Sequence, residues 1–319
     1  MIKKSISERL GGPLFDEVRR MLSLKKPPSS EGSLKAALYK KRKPLLVTYF
    51  FTAPMAEGLF DAYYENLYEE LCAVYTDRTD ETRFDFDGII IPKPERNNYK
   101  KTIAGEFQDL LCYYLLDDIE FCNAVTCEGP YEFGEVSVSS DDIVIDCGAN
   151  LGLFSAVASS KGAVVHAFEP NKHIIREILF KTSKYNPNIK IHEVALSDKH
   201  EQTIFWGSAD NIGVGQIDTV SHGPKRTHNE KMVVQATTLD DFVKSENLPS
   251  VDFIKADIEG AERYMLKGAR QVLKEFSPKL AICTYHGLDE PKVIRELILD
   301  ANPNYIIEQQ PRKLYAHVP

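Results

Sequence analysis

An α/β fold is predicted, with a mostly parallel, Rossmann-like sheet, a C-terminal antiparallel hairpin and a largely helical segment ahead of both. Three observations carry this expectation. The stretch VIDCGANLGLFS, residues 144–155, joins an apolar strand to an amphipathic helix through a glycine loop. Five apolar segments, this one included, each end in polar residues, as parallel strands do when their carboxyl ends face a ligand. Finally, residues 305–309 and 313–317, separated by a turn at Pro311, read as an antiparallel hairpin that completes the sheet.

From the start of the chain, Pro27, Pro28, Ser29 and Ser30 end a short amphipathic helix, and Pro44 precedes the apolar LLVTYFF. Phe60, Tyr63, Tyr64, Leu67, Leu71, Val74 and Tyr75 recur at helical spacing, which predicts a helix over 55–75 with an aromatic stripe packed into the core. FDFDGIIIP, 84–92, reads as a strand or hairpin arm, and 103–121 as an amphipathic helix leading into the sheet. The expected division is a mostly helical accessory segment on the substrate side, 1–102, and a ligand-binding domain, 103–319. The aperiodic stretch 208–232 is expected to be a mobile substrate cover hinged at Gly213 and Gly215. After the terminal hairpin no further domain is expected.

The glycine loop constrains the ligand. Gly148 and Gly152 let the backbone turn tightly, and Asn150 lies between them. The order G-x-x-x-G is not the dinucleotide fingerprint G-x-G-x-x-G, so a pyrophosphate is disfavoured. Asp146 at the loop's entrance would repel a phosphate but suits an ammonium and a sulfonium, as S-adenosylmethionine carries. The second strand, 163–170, ends at Glu169, placed to grip ribose hydroxyls. A third, 191–198, ends at Ser197 and Asp198, within reach of an adenine ring. The fourth segment, 251–263, ends its strand at Asp257, followed by Glu259, Gly260 and a helix beginning near Glu262. The fifth, 279–287, ends at His286.

VIDCGANLGLFS, AFEPN, VALSD, TTLDDF (237–242), KADIEGAE and TYH (284–286) resemble, in order and spacing, the motif series of the FkbM-family S-adenosylmethionine-dependent methyltransferases. The resemblance covers about residues 130–319. It implies a class I methyltransferase sheet and methyl transfer to oxygen or, in some natural-product pathways, to amide nitrogen. This chain departs from the pattern at Thr284, where many relatives carry a glutamate, so no role for that carboxylate transfers.

A net charge of −8 argues against nucleic-acid binding, because a basic footprint is the usual signature of phosphate-backbone contact. The opening MIKKSISERL has no apolar signal-peptide core, and no apolar run reaches the length needed to span a bilayer. A cytoplasmic enzyme, monomeric or homodimeric, with no membrane or nucleic-acid partner is expected. Cys147 and Cys283 fall in predicted strands and Cys72 and Cys112 on apolar helix faces, as free thiols of a reducing compartment do; Cys122 and Cys127 lack a second pair for zinc.

The catalytic expectation rests on proton chemistry. A sulfonium activates its own methyl group, so a protein must align the acceptor and deal with the acceptor's proton. His286 is expected to be the general base. Asp257 and Glu259 are read as acceptors for the cofactor's ammonium or for substrate hydroxyls, and Lys255 as a structural tether for Asp257 or Glu262. Cofactor contacts are expected at Asp146, Gly148, Asn150, Gly152, Glu169, Asp198 and Asp257, and substrate contacts at Glu259 and His286. Magnesium on Asp257, Glu259 and His286 is conceivable but not favoured, since no dedicated metal spacing is present. Three classes remain open: O-methylation of a small molecule, sugar or natural product; N-methylation of a peptide natural product; and a non-catalytic nucleotide-binding scaffold.

Overall fold

The computed structural model describes residues 68, 69, 72, 82–86, 88–94, 130–207, 215–218, 230–287 and 289–319. Arg83–Phe86 (β1) and Ile89–Pro92 (β2) form an antiparallel hairpin turned at Gly88, whose φ of +94° costs a glycine nothing. The central strands are Ile143–Cys147 (β3), Val164–Phe168 (β4) and Ile189–His192 (β5), with the helix Leu153–Ser160 (α1) after β3. Between β4 and β5 a continuous helical run comprises Lys172–Ile174 (α2), a π-helical stretch Ile175–Leu179, and Phe180–Tyr185 (α3).

The chain then leaves this sheet. Ala195–Leu196 (β6), Glu201–Gly207 (β7), Gln216–Ile217 (β8) and Glu230–Thr237 (β9) make a second sheet in the order β6-β9-β7-β8. After Leu239–Ser245 (α4) it returns with Phe253–Ala256 (β10), Glu262–Lys267 (α5), Arg270–Glu275 (α6), Lys279–Cys283 (β11), Glu290–Ala301 (α7), Ile306–Gln309 (β12) and Lys313–His317 (β13). The main sheet runs β12-β13-β11-β10-β3-β4-β5, parallel from β11 to β5 and antiparallel at β13 and β12. The expected architecture is therefore present, including the terminal hairpin.

Alternation along the strands sets the two faces of this sheet. Ile145, Cys147, Ile254, Ala256, Leu280 and Ile282 point to one side, where Leu239, Phe242, Met265, Leu266, Val272, Leu273, Ile294 and Ile298 cover them. Asp146 reaches Ser155 of α1 on the other side, where Phe154 lies 5.7 Å from Phe253, ring centre to ring centre. Burial on both faces explains why these strands read as continuous apolar runs in the sequence. Cys147 and Cys283 are buried and form no disulfide, as expected.

Three expectations need correction. The predicted third strand, 191–198, is two strands: β5 ends at His192, and Ala195–Leu196 pairs with β9 of the second sheet. The segment 208–232 is not one open loop, because Gln216–Ile217 and Glu230–Met232 pair with β7; 208–214, with Gly213, and 219–229 lie outside the described residues. Gly215 is packed rather than hinge-like, since a Cβ there would stand 2.0 Å from Phe205.

The third concerns the boundary at 102. The chain divides instead into Met1–Tyr63 with Phe107–Gly129, and Tyr64–Glu106 with Pro130–Pro319; every described residue belongs to the second unit. The β1–β2 hairpin joins the sheet domain because Asn186 Nδ2 donates to Ile90 O (2.8 Å) and Phe84, Phe86 and Ile91 are buried. Of the predicted 55–75 helix only Tyr68, Glu69 and Cys72 are described, all helical, with Tyr68 edge-on to Phe84. The short N-terminal helix, the 103–121 helix, Cys112, Cys122 and Cys127 lie outside the described residues.

A pair of histidines bridges β4 and β5 within the core. His166 and His192 stack with ring planes 2° apart, Nδ1 of one 3.0 Å from Nε2 of the other, against the edge of Phe242. Burial, with the neighbouring His192 and Lys190, lowers His166 to about 4; burial also lowers His192. The unfolded chain binds these protons first, so this contribution to stability is complete above the ordinary histidine value and disappears as pH falls through the folded value. Thermal melts from pH 7 to 4 should show a loss approaching about 1.4 kcal/mol per pH unit for each titrating ring. His166→Phe should flatten that dependence; an unchanged slope would exclude the pair as its source.

Candidate active site

The strand order reverses direction between β3 and β10: the chain proceeds from β3 toward β4 and β5 on one side, and from β10 toward β11 on the other. At such a switch point the two loops leaving the carboxyl ends diverge and open a crevice for a ligand. Here the loops carry Gly148 to Gly152 and Asp257 to Ala261, and β11 delivers Tyr285 and His286 alongside.

One buried cation organises the glycine loop. Lys255 Nζ lies 3.0 Å from Asp146 Oδ1 and donates to the carbonyls of Gly148 (2.6 Å) and Cys147 (3.3 Å). Ser155 Oγ donates to Asp146 Oδ2 at 2.6 Å. Burial alone would lower the lysine's pKa, yet Asp146 and Asp257 drive it well above its ordinary value. This corrects two expectations. Asp146 is fully buried and engaged by the protein's own ammonium rather than open to a ligand's, and Lys255 tethers Asp146 instead of Asp257 or Glu262.

The glycines answer to the chain as well. A Cβ on Gly148, at φ +78°, would stand 2.1 Å from the Asp257 carbonyl oxygen, and one on Gly152 2.7 Å from Leu179. Asn150 takes a positive φ of 49° between them, and its N–H donates to Glu169 Oε2 at 3.0 Å. Glu169 also accepts from Asn171 N at 2.8 Å. Burial raises Glu169 to about 7 against these two amide hydrogen bonds. Each oxygen keeps a further lone pair, so the carboxylate can still receive two hydroxyls of a diol. Asp198 stands differently from its expectation: it is exposed and follows β6 of the second sheet, not a strand of the main one.

Around β10 and β11 a second cluster forms. Glu262, fully buried, accepts from the amides of Ile258 (2.8 Å) and Gly260 (2.9 Å), closing a loop in which Glu259 holds φ +54° and Gly260 +98°. Its Oε1 also lies 3.0 Å from His286 Nδ1. His286 Nε2 faces Asp257 Oδ1 at 3.5 Å and Glu259 Oε2 at 3.6 Å. Burial lowers the imidazole's pKa, but Glu262, Asp257 and Glu259 more than reverse this and carry it up to about 10. A ring so protonated has no lone pair at neutral pH. His286 is thus brought to the cluster as predicted, but its carboxylate surroundings oppose the expected role as general base.

Asp257 is the most heavily contacted of the predicted residues. Burial would raise it, yet His286, Lys255, Lys313 and a hydrogen bond from Tyr131 hold it well below the usual carboxylate range. Tyr131 Oη donates to its Oδ2 at 2.7 Å and Tyr285 Oη to its Oδ1 at 3.2 Å. Sequence reasoning missed both tyrosines and Lys313, whose ammonium sits 4.2 Å from the centre of the Tyr131 ring. Tyr285 had a signal in its position beside His286. Tyr131 and Lys313 had none, because only the fold brings them to the site. Glu290, buried at the start of α7 and raised to about 7 first by burial and then by Glu262, completes the acidic surroundings.

A parallel sheet with a glycine loop at its switch point, an acidic residue ending the neighbouring strand and a terminal antiparallel hairpin defines the class I methyltransferase fold. The profile of the methyltransferase FkbM domain matches residues 146–311, and the chain belongs to that family. Hexuronic acid methyltransferase AglP of Haloferax volcanii is 26% identical over 162 residues, 50% of this chain and 63% of that protein. AMB antimetabolite synthetase AmbE of Pseudomonas aeruginosa is 34% identical over 171 residues, 43% of this chain but only 8% of that much longer protein. The matched regions thus cover less than two thirds of either relative. Among solved structures, a methyltransferase FkbM from Methylobacillus flagellatus aligns with 79% of this chain and 58% of its own, at 20% identity and a TM-score of 0.45.

Removing one partner of a buried ion pair leaves the other charged and unpaired, which costs about 3–5 kcal/mol. Lys255→Met should therefore destabilise the protein by about that much in urea denaturation, and adding Asp146→Leu should recover part of the loss. A single-variant cost below about 1 kcal/mol, the range of an exposed pair, would remove Lys255 from this role.

Proposed function

We propose that this chain transfers the methyl group of S-adenosylmethionine to a hydroxyl of a sugar or related small molecule. The observation that carries the cofactor reading is Glu169. It is buried at the end of β4 beside the glycine loop, fixed by two backbone amides, with lone pairs left for a ribose diol. When bound, the cofactor supplies a methyl group already activated by its sulfonium. Gly148 to Gly152 shape the floor beneath it, and Asp146 acts behind that floor through Lys255 rather than by contact.

The acceptor end is the cluster at β10 and β11. Asp257 and Glu259 offer oxygens to an acceptor hydroxyl, and Tyr131, Tyr285 and His286 fix the direction of the Asp257 carboxylate. Alignment of this kind replaces translational freedom that a bimolecular reaction would otherwise lose. Methyl transfer tolerates late proton loss, so Asp257, held well below the usual carboxylate range, need only orient the hydroxyl by a hydrogen bond while the proton leaves to solvent as the new bond forms. The sugar acceptor is supported by the likeness to AglP, whose name gives a hexuronic acid as its substrate. The same reading takes the protein to be cytoplasmic, without nucleic-acid or membrane partners, and monomeric or homodimeric. Among the described residues no helix is long and apolar enough to cross a membrane.

Two measurements test this. Isothermal calorimetry should show S-adenosylhomocysteine binding that Glu169→Ala weakens at least tenfold while Asp198→Ala leaves it within about twofold, the difference between a buried polar grip and an exposed one. Equal binding by wild type and Glu169→Ala would sink the cofactor site. Incubation with labelled S-adenosylmethionine and a panel of hexuronic acids, neutral sugars and peptides should transfer label to sugar oxygen; label on peptide nitrogen would replace the acceptor reading with the peptide one.

A further inference from the structure

We propose that the cluster of Asp257, Glu259, Glu262 and His286 binds a divalent metal cation at the acceptor end of the site. Three carboxylates converge on one imidazole ring: Glu262 Oε1 at 3.0 Å from Nδ1, and Asp257 Oδ1 and Glu259 Oε2 at 3.5 and 3.6 Å from Nε2. Without an ion the protonated ring itself offsets their charge, and a metal cation can take over that part when it displaces the ring proton.

The ring itself points to a ligand. His286 is 7% exposed; Nδ1 is engaged by Glu262, while Nε2 makes no hydrogen bond of good geometry, a costly state for a buried polar group. Nε2 is directed at the space flanked by Asp257 and Glu259. Two donors each about 2.1 Å from a tetrahedral cation lie roughly 3.4 Å apart, and from an octahedral one roughly 3.0 Å, so the separations from Nε2 are close to those a shared ion would set. Donor atoms of Asp257, Glu262 and His286 all lie within 4.8 Å of one another.

The division of labour follows from what each carboxylate already does. Glu262 is committed to the amides of Ile258 and Gly260, and its approach to Nδ1 fixes the ring's orientation, which is the task of a carboxylate behind a metal-bound histidine. Nε2 and Asp257 Oδ1 are then the primary ligands, with Glu259 joining from the loop. The ion takes the place of the ring proton, since a metal-bound imidazole must be neutral and binding releases that proton. One nitrogen and two carboxylate oxygens suit manganese or zinc better than calcium. Bound there, the ion would lower the pKa of an acceptor hydroxyl, a role that rests on the methyl-transfer reading, whereas the binding does not.

Mn(II) is a direct probe, because free Mn(II) gives a six-line electron paramagnetic resonance signal that weakens on binding. Titration of the full-length protein should show one bound Mn(II) per chain. His286→Gln and Glu259→Gln should each weaken it at least tenfold, and Glu262→Gln about tenfold to a hundredfold through loss of orientation. Circular dichroism identifies a misfolded variant, and Glu259→Gln, on a partly open loop, serves if His286→Gln fails to fold. No Mn(II) or Zn(II) uptake, or uptake unchanged by both Glu259→Gln and His286→Gln, overturns the proposal. S-adenosylhomocysteine calorimetry on the same samples separates the two ideas. Cofactor binding without metal uptake overturns the cation and leaves methyl transfer standing; metal uptake without cofactor binding does the reverse.

Discussion

The ammonium of Lys255 is the point on which the site depends. From β10 it reaches across to the neighbouring β3, pairs with Asp146 and holds the carbonyls of Cys147 and Gly148, so the glycine loop is fixed from beneath by a charge that never meets solvent. Both strands must be in register for those bonds to form together, with Lys255 opposite Asp146. A one-residue slip would turn the lysine to the opposite face, among Ile145, Leu280 and Met265. The pair thus couples formation of the sheet's centre to formation of the binding loop.

The two halves of the crevice differ in electrostatic character. On the Glu169 side two backbone amides hold the acid, and burial raises it to about 7, so that it is only partly ionised at physiological pH. On the Asp257 side charge is abundant on both signs: Lys255, Lys313 and His286 face Asp257, while Glu259, Glu262 and Glu290 surround the imidazole. A neutral diol fits the first half and a polar acceptor or a cation the second. This polarity gives a bound molecule only one favourable direction.

Much of this was legible in the sequence, and the failures have physical causes. The strands β3, β4, β10 and β11 were legible because burial on both faces gives uninterrupted apolar runs, and their ends were marked by Asp146, Glu169, Asp257 and His286. The strand at 191–198 was misread because Glu193 and the residues around it carry no sign that the chain changes sheets there. Asp146 was read as a ligand group because its partner Lys255 is more than a hundred residues away in sequence. Tyr131 and Lys313 were invisible for the same reason. His286 was found in the right place but given a role that its three carboxylate neighbours oppose, since a sequence shows the residue without its field.

The contact between Gly148 and the carbonyl of Asp257 bears on how lost function would look in this lineage. Gly148 is required by the approach of two loops, and Lys255 and Asp146 by each other, so selection for folding alone would retain all three. A relative that had become a silent paralogue would keep the signature that first draws the eye. The letters freer to drift would be those on the loop at the acceptor end rather than at the sheet's centre, Glu259 above all. For telling a working copy from a relic, the acidic loop after β10 is therefore the better witness than the glycines.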